Sequence, residues 1–169
     1  VLQYDHQGKL LKQFGRPDAA LQEPGLIIPS PHLDVALVPA DPGANPEDQV
    51  IWINNPGRHQ LAAYNAQGKI IESWGQGGTT IEAFPGCCNP TDFALLADGR
   101  FVTAEKGTPR IKIYRPDGQL ESVVAGPEAF SGSSAGMDVA VDLTHPERIW
   151  VLDPGNNQVR IFDPKPQVR

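Results

Sequence analysis

Short apolar runs alternate along this chain with turns rich in Gly, Pro and Asn, a pattern typical of many short strands. Three segments align without a gap: residues 51–65, 101–115 and 149–163, at offsets of 50 and 48 residues. Each contains an apolar run, a turn with an aligned glycine and a second apolar run. We expect a positive φ at these glycines, which are Gly57, Gly107 and Gly155.

Two further patterns accompany each segment. Upstream lies Asp-apolar-Ala-apolar, at residues 34–37, 92–95 and 138–141, and a Gly turn leading into an apolar run occurs at 8–15, 68–75 and 118–126. A unit of about 50 residues that contains four strands is typical of a propeller blade. The sequence therefore predicts an all-β fold, a β-propeller of four-stranded blades: 1–15 ends one blade, 32–75 and 90–126 form two, and 136–169 forms one without its outer strand.

Residues 151–163 (VLDPGNNQVRIFD) resemble the NHL repeat, V-x-D-x-G-N-x-R-I-x-x-F-D. The resemblance covers nearly the whole chain and implies a ring of six blades, of which three nearly complete ones and a partial one are present. Other propeller families or a β-sandwich are the structural alternatives. A further alternative is that two copies of the chain assemble one ring.

Composition narrows the function classes. The 169 residues are 40% hydrophobic and 20% charged, as in a folded globular protein, and the net charge of −6 disfavours nucleic-acid binding. No apolar stretch approaches the roughly 18 residues of a membrane span. The chain starts inside a strand-like segment with no signal-peptide pattern, so we expect any targeting signal upstream and, from the family resemblance, a location outside the cytoplasm.

An aspartate begins each predicted inner strand: Asp34, Asp92 and Asp138. In a propeller they would form an arc of carboxylates at the mouth of the central channel. One hypothesis is a ligand or metal site, with His32 as a fourth metal ligand and Ca²⁺ or Zn²⁺ as the ion. The other, which we favour because the residue recurs in every repeat, is that each aspartate caps backbone N–H groups.

The loops between second and third strands differ between repeats and carry further candidate ligand contacts. These are Arg58, His59, Glu105, Lys106 and Arg110. The turn geometry shared by the repeats requires only the glycine. The charged residues beside it could therefore contact a ligand. The alternative is a solvated turn with paired charges.

Cys87 and Cys88 lie in the least repeat-like segment, residues 84–90 (FPGCCNP). The hypothesis we favour is that they form a vicinal disulfide or remain structural thiols. The second hypothesis is a role in a metal or redox centre. Two thiols are too few for four-coordinate zinc. The segment resembles an element of exported bacterial NHL-like proteins in which another Cys precedes the pair, whereas Pro85 stands in that region here.

The sequence contains no recognised catalytic motif. We therefore predict a non-catalytic binding or assembly module for a protein partner or a small ligand, with no cofactor required. An accessory subunit of a larger assembly is a variant of this prediction. The alternative is a metal-dependent propeller enzyme resembling the amidating lyase or lactonase families, with the histidine and aspartates above as ligands.

Overall fold

The fold is taken from a computed structural model that describes residues 1–20, 22–38, 45–130, 136–142 and 144–163. Within these ranges the chain forms β-strands and three short 3-10 turns, and no α-helix. The strands are β1 (Leu2–Tyr4), β2 (Leu10–Gln13), β3 (Val35–Leu37), β4 (Ile51–Asn55), β5 (Gln60–Tyr64), β6 (Ile70–Trp74), β7 (Asp92–Leu95), β8 (Phe101–Glu105), β9 (Arg110–Tyr114), β10 (Leu120–Ala125), β11 (Asp138–Val141), β12 (Ile149–Asp153) and β13 (Gln158–Phe162). The 3-10 turns are Pro46–Asp48, Pro56–Arg58 and Pro127–Ala129.

The strands form antiparallel sheets in chain order, which confirms the predicted fold class. Strands β3–β6 make one four-stranded sheet and β7–β10 a second, here called blades I and II. Strands β11–β13 form blade III, and β1–β2 form a two-stranded sheet before blade I. Strand β7 contacts both β3 and β11, so the first strands of successive sheets lie side by side, as around a propeller axis. Residues 164–169, which follow β13, lie outside the described residues.

Blade II is buried on both faces because it lies between two other blades. All five residues of β8 are buried, and the period-two geometry of a strand sends alternate side chains to opposite neighbours. Phe101 belongs to the apolar cluster shared with blade I, whereas Val102 and Ala104 belong to the cluster shared with blade III. The central strands β8 and β9 therefore have no solvent-facing side, and even their polar residues are buried.

Aromatic side chains fill the interface between blades I and II. The ring centroid of Trp74 lies 5.1 Å from that of Phe101 and 5.0 Å from that of Tyr114. Trp52 approaches Phe101 edge-on at 4.7 Å. Such contacts contribute about 0.5–1.5 kcal/mol each beyond the area they bury, so this interface is a main source of stability.

The expectation of positive φ at the aligned glycines is right for only one of them. Gly107 has φ +79, but Gly57 and Gly155 are not in the left-handed region, and in the first loop His59 adopts φ 57 instead. Gly57 is needed for a different reason: its N–H donates to the Ile27 carbonyl at 3.0 Å, and a Cβ there would lie 2.6 Å from that oxygen. The glycine thus permits a close approach of the crossover that precedes blade I.

One face of blade III carries exposed apolar side chains. Trp150, Leu152, Val159 and Ile161 are between 37% and 59% exposed. Between blades I and II, by contrast, the aligned strands are buried on both sides.

In the part of the chain that the structure describes, no helix has the length and apolar character needed to cross a membrane.

Candidate functional site at the channel mouth

The predicted aspartates meet where the first strands begin, and we call this end of the blades the channel mouth. Asp92 is buried, Asp34 is half-buried and Asp138 is exposed. The Oδ2 atom of Asp92 accepts a hydrogen bond from the backbone N–H of Val139 at 2.6 Å, so this carboxyl caps the inner strand of the next blade. For Asp92, capping is therefore part of its role.

The electrostatics of Asp92 are nevertheless unusual for a simple cap. Burial raises the pKa of its carboxyl to about 8. A hydrogen bond to Asp34 and the negative charges of Asp34 and Asp138 add to the increase, while the Val139 N–H opposes it. At neutral pH the Asp92 carboxyl is therefore mostly protonated, and it ionises as the pH rises through about 8.

Asn54 positions this cluster, and sequence reasoning missed it. Its side chain is fully buried at the end of β4, and its Oδ1 accepts from the backbone N–H of Asp34 at 2.6 Å. Its Nδ2 donates to the carbonyls of Pro90 and Thr91 at 3.1 and 2.9 Å. One amide thus links the starts of the inner strands of blades I and II. A buried Asn in an otherwise apolar strand was the available signal.

His32 extends from the segment before β3 toward the other blades. Burial lowers the pKa of His32, the positive charge of Lys106 lowers it further, and Asp138 opposes the change. A Cβ on Gly136 would overlap with the imidazole ring. His32 thus packs against Gly136, just before blade III, and lies within electrostatic range of Lys106 and Asp138.

These groups do not assemble into a visible metal site. Within the described residues, no group of three or more His, Cys, Asp or Glu side chains is arranged to hold a metal ion. The metal role of His32 and the three aspartates stays a prediction.

The two cysteines lie beside the same mouth. Cys87 is exposed and Cys88 is buried, and their Sγ atoms are 2.7 Å apart as unbonded thiols. The contact with Cys87 raises the pKa of Cys88, burial adds to the increase, and the charge of Lys106 opposes it. Asn89 holds the segment in place, since its side chain accepts from the Lys106 N–H at 2.8 Å and donates to the Pro85 carbonyl at 2.6 Å.

Two of the predicted loop contacts lie inside an interface and not at an open mouth. Glu105 is fully buried and forms ion pairs of 2.5 Å with both Arg110 and Lys112. Arg110 and Lys112 also donate to the carbonyl of Ala83, in the crossover between blades I and II. Burial raises the pKa of Glu105 and lowers that of Lys112 to about 8, so the cluster depends on mutual pairing. It anchors the crossover.

The predicted contacts in the loop between β4 and β5, Arg58 and His59, also lie against crossover segments. Arg58 donates to the carbonyls of Pro24 and Gly25, in the crossover before blade I. His59 packs against Gly77, and its Nδ1 is buried without a hydrogen-bond partner in the described structure. Of the five predicted loop residues, Lys106 lies beside the cysteine segment and influences His32. Arg58, His59 and Arg110 contact crossover segments, and Glu105 pairs with Arg110.

Comparison with known proteins identifies no family. Neither the protein-family models nor the curated proteins gave a match to the chain. Among solved structures, a gluconolactonase from Xanthomonas campestris aligns with a TM-score of 0.41 and 14% identity, over 96% of this chain and 64% of that one. The chain therefore spans less than two thirds of that protein, and a likeness of this degree carries no argument about activity.

Proposed function

We propose that the chain is part of a β-propeller that acts as a binding module, and that its channel mouth holds a cationic group of a small ligand or of a protein partner. The observation that carries the proposal is the convergence of Asp34, Asp92 and Asp138 from three successive blades. Burial and the neighbouring carboxyls keep a proton on Asp92 at neutral pH, with a pKa of about 8. An ammonium or guanidinium group placed there would favour the ionised form.

Binding of a cation should therefore release a proton, which gives the proposal a specific pH dependence. Because the ligand prefers the ionised carboxyl, affinity should rise as the pH rises toward 8 and level off above it. The limit of this effect is about tenfold per pH unit for one proton released. A ligand that bound elsewhere on the acidic surface would show no such dependence.

The test is isothermal titration of the chain with spermidine and with agmatine between pH 6 and pH 9. We expect affinity to increase with pH, and Asp92→Asn to weaken binding at least tenfold above pH 8 and remove the pH dependence. Asp117→Asn, in an exposed turn, is the matched control for a lost surface charge. Absence of binding, or equal affinity at every pH, would contradict the proposal. Stoichiometric binding of Ca²⁺ or Zn²⁺ would instead favour the metal-dependent enzyme.

We further propose that the blades are of the NHL kind and belong to a six-bladed ring. The repeat pattern of residues 151–163 supports the first part. The exposed apolar face of blade III supports the second, because a neighbouring blade would bury it. Light scattering coupled to size-exclusion chromatography tests whether two copies supply the ring, since a folded monomer would exclude that arrangement.

We also propose that Cys87 and Cys88 form a vicinal disulfide under oxidising conditions and that the protein works outside the cytoplasm, where disulfides persist. The adjacency of the two sulfurs supports the first part. Intact mass before and after reduction is the measurement. If the protein is isolated without reductant and its mass does not increase by two hydrogen atoms on reduction, the disulfide is excluded.

A further inference from the structure

A cavity of about 290 Å³ lies between the two-stranded sheet and blade I, away from the aspartates of the channel mouth. Its volume is near the lower end of the range of about 300–1,000 Å³ that small-molecule sites occupy. Side chains of both charge signs and an aromatic ring contribute to its wall: Phe14, Arg16, Asp18, Glu23, Tyr64 and Gln67.

The internal repeat shows how the corresponding space is filled in the next interface, between blades I and II. Phe14 is aligned with Trp74, and Ala62 is aligned with Lys112. Between blades I and II, the larger pair fills the interface: the indole packs 5.0 Å from Tyr114, and the Lys112 ammonium lies 4.7 Å from the centre of the Phe84 ring. The smaller pair leaves room in the first interface. The two interfaces share one scaffold, but the first is open where the second is filled.

The aligned tyrosines differ in the same sense. The hydroxyl of Tyr114 donates to the Glu82 carbonyl at 2.7 Å. Tyr64, which is 1% exposed and forms part of the cavity wall, has a buried hydroxyl with no hydrogen-bond partner within the described ranges. Buried polar groups are nearly always paired, so an unpaired one beside a cavity indicates a ligand partner.

Glu23 and Arg16 contribute opposite charges to the wall. Burial raises the pKa of Tyr64, the negative charge of Glu23 adds to the increase, and the positive charge of Arg58 opposes it. Glu23 Oε1 accepts from the backbone N–H of Ile70 at 3.2 Å, which fixes its position. Arg16 is exposed and forms no ion pair with a described residue. Its guanidinium donates to the side-chain oxygen of Gln13 at 3.0 and 3.1 Å, on the same part of the wall.

We propose that this cavity binds a small zwitterion, a free amino acid or a molecule of the same kind. Its amino group would lie toward Glu23 and the Tyr64 hydroxyl, and its carboxylate toward the Arg16 guanidinium, whose planar fork suits a carboxylate. A molecule with only one of these charges would pair with only one of the two groups, Glu23 or Arg16. The proposal concerns a second site and does not depend on the channel mouth.

The test is amide chemical-shift mapping by NMR with glycine, L-alanine, β-alanine and γ-aminobutyrate, which differ in the spacing of their two charges. We expect at least one of them to shift the amides of Gly15 and Gly68, at the cavity wall, and to bind at least tenfold more tightly than ethylamine or acetate. No shift at these amides with any probe would overturn the proposal. Acetate binding as tightly as the zwitterions would also overturn it, by indicating a simple anion site.

Matched variants separate the cavity from general effects on folding. Glu23→Gln and Arg16→Gln should each weaken binding at least tenfold, and Tyr64→Phe at least threefold. Tyr114→Phe removes the aligned hydroxyl in the filled interface, and Arg115→Gln removes an exposed arginine elsewhere. Both controls should leave affinity within twofold. Equal losses in the controls and in the cavity variants would overturn the assignment.

Discussion

Replacement of Asp92 by Asn is the sharpest test of the electrostatics at the channel mouth. Asn keeps an oxygen that accepts from the Val139 N–H and offers an N–H to the Asp34 carboxylate, so it resembles the protonated aspartate. It differs only in being unable to ionise. The substitution should therefore leave the fold in place and change how stability depends on pH.

The magnitude follows from proton linkage. The pKa of Asp92 is about 8 in the folded protein, against about 3.9 in an unfolded chain. Between these values the folded state binds about one proton more than the unfolded state. The stability contributed by the protonated carboxyl is thus fully present below about pH 4 and is lost as the pH rises toward 8, at about 1.4 kcal/mol per pH unit. From pH 5 to pH 7 the loss is about 3 kcal/mol.

The assay is urea unfolding of the wild type and of Asp92→Asn at several pH values. Their difference in unfolding free energy cancels the titration of other groups, and it should grow in favour of the variant by about 3 kcal/mol between pH 5 and pH 7. Asp117→Asn should give a curve parallel to the wild type. Parallel curves for Asp92→Asn as well would refute the raised pKa of Asp92 and, with it, the protonated carboxyl at the channel mouth.

Three further predictions concern packing and reactivity. Gly8 and Gly118 occupy aligned turns, with φ of +81 and +77. A Cβ at Gly8 would contact nothing, whereas a Cβ at Gly118 would lie 2.6 Å from a carbon of the Trp74 indole. Calorimetry should therefore show that Gly118→Ala lowers stability by about 1–3 kcal/mol more than Gly8→Ala does. Lys112→Met should cost about 3 kcal/mol in urea unfolding, because its buried carboxylate partner loses a cation, and a loss under 1 kcal/mol would contradict that reasoning. In the reduced protein, iodoacetamide should modify Cys87 before Cys88, since Cys87 is exposed and the pKa of Cys88 is raised; peptide mass spectrometry would show the order, and equal rates would contradict it.

The strand order and the fold class could be predicted from the sequence because they depend on local, repeated features. Alternating apolar residues and turn glycines recur in each unit, and they describe strands whatever surrounds them. The position of the inner-strand aspartates at one end of the blades follows from the same repeat. The positive φ predicted for Gly57 was wrong, because this glycine is needed for close contact with Ile27. Ile27 lies in another segment, so the local repeat pattern does not reveal that contact.

The environment of each side chain was decided by the tertiary structure. Lys112 is a charged residue in a strand and would be expected at the surface, yet it is fully buried because blade II has neighbours on both faces and a crossover supplies carbonyl partners. The same neighbours set the proton affinity of Asp92. The unpaired hydroxyl of Tyr64 likewise depends on which aligned side chains face it. The repeat alone determines where strands and turns fall, since these depend on nearby residues, whereas burial, charge and cavity arise between blades distant in sequence.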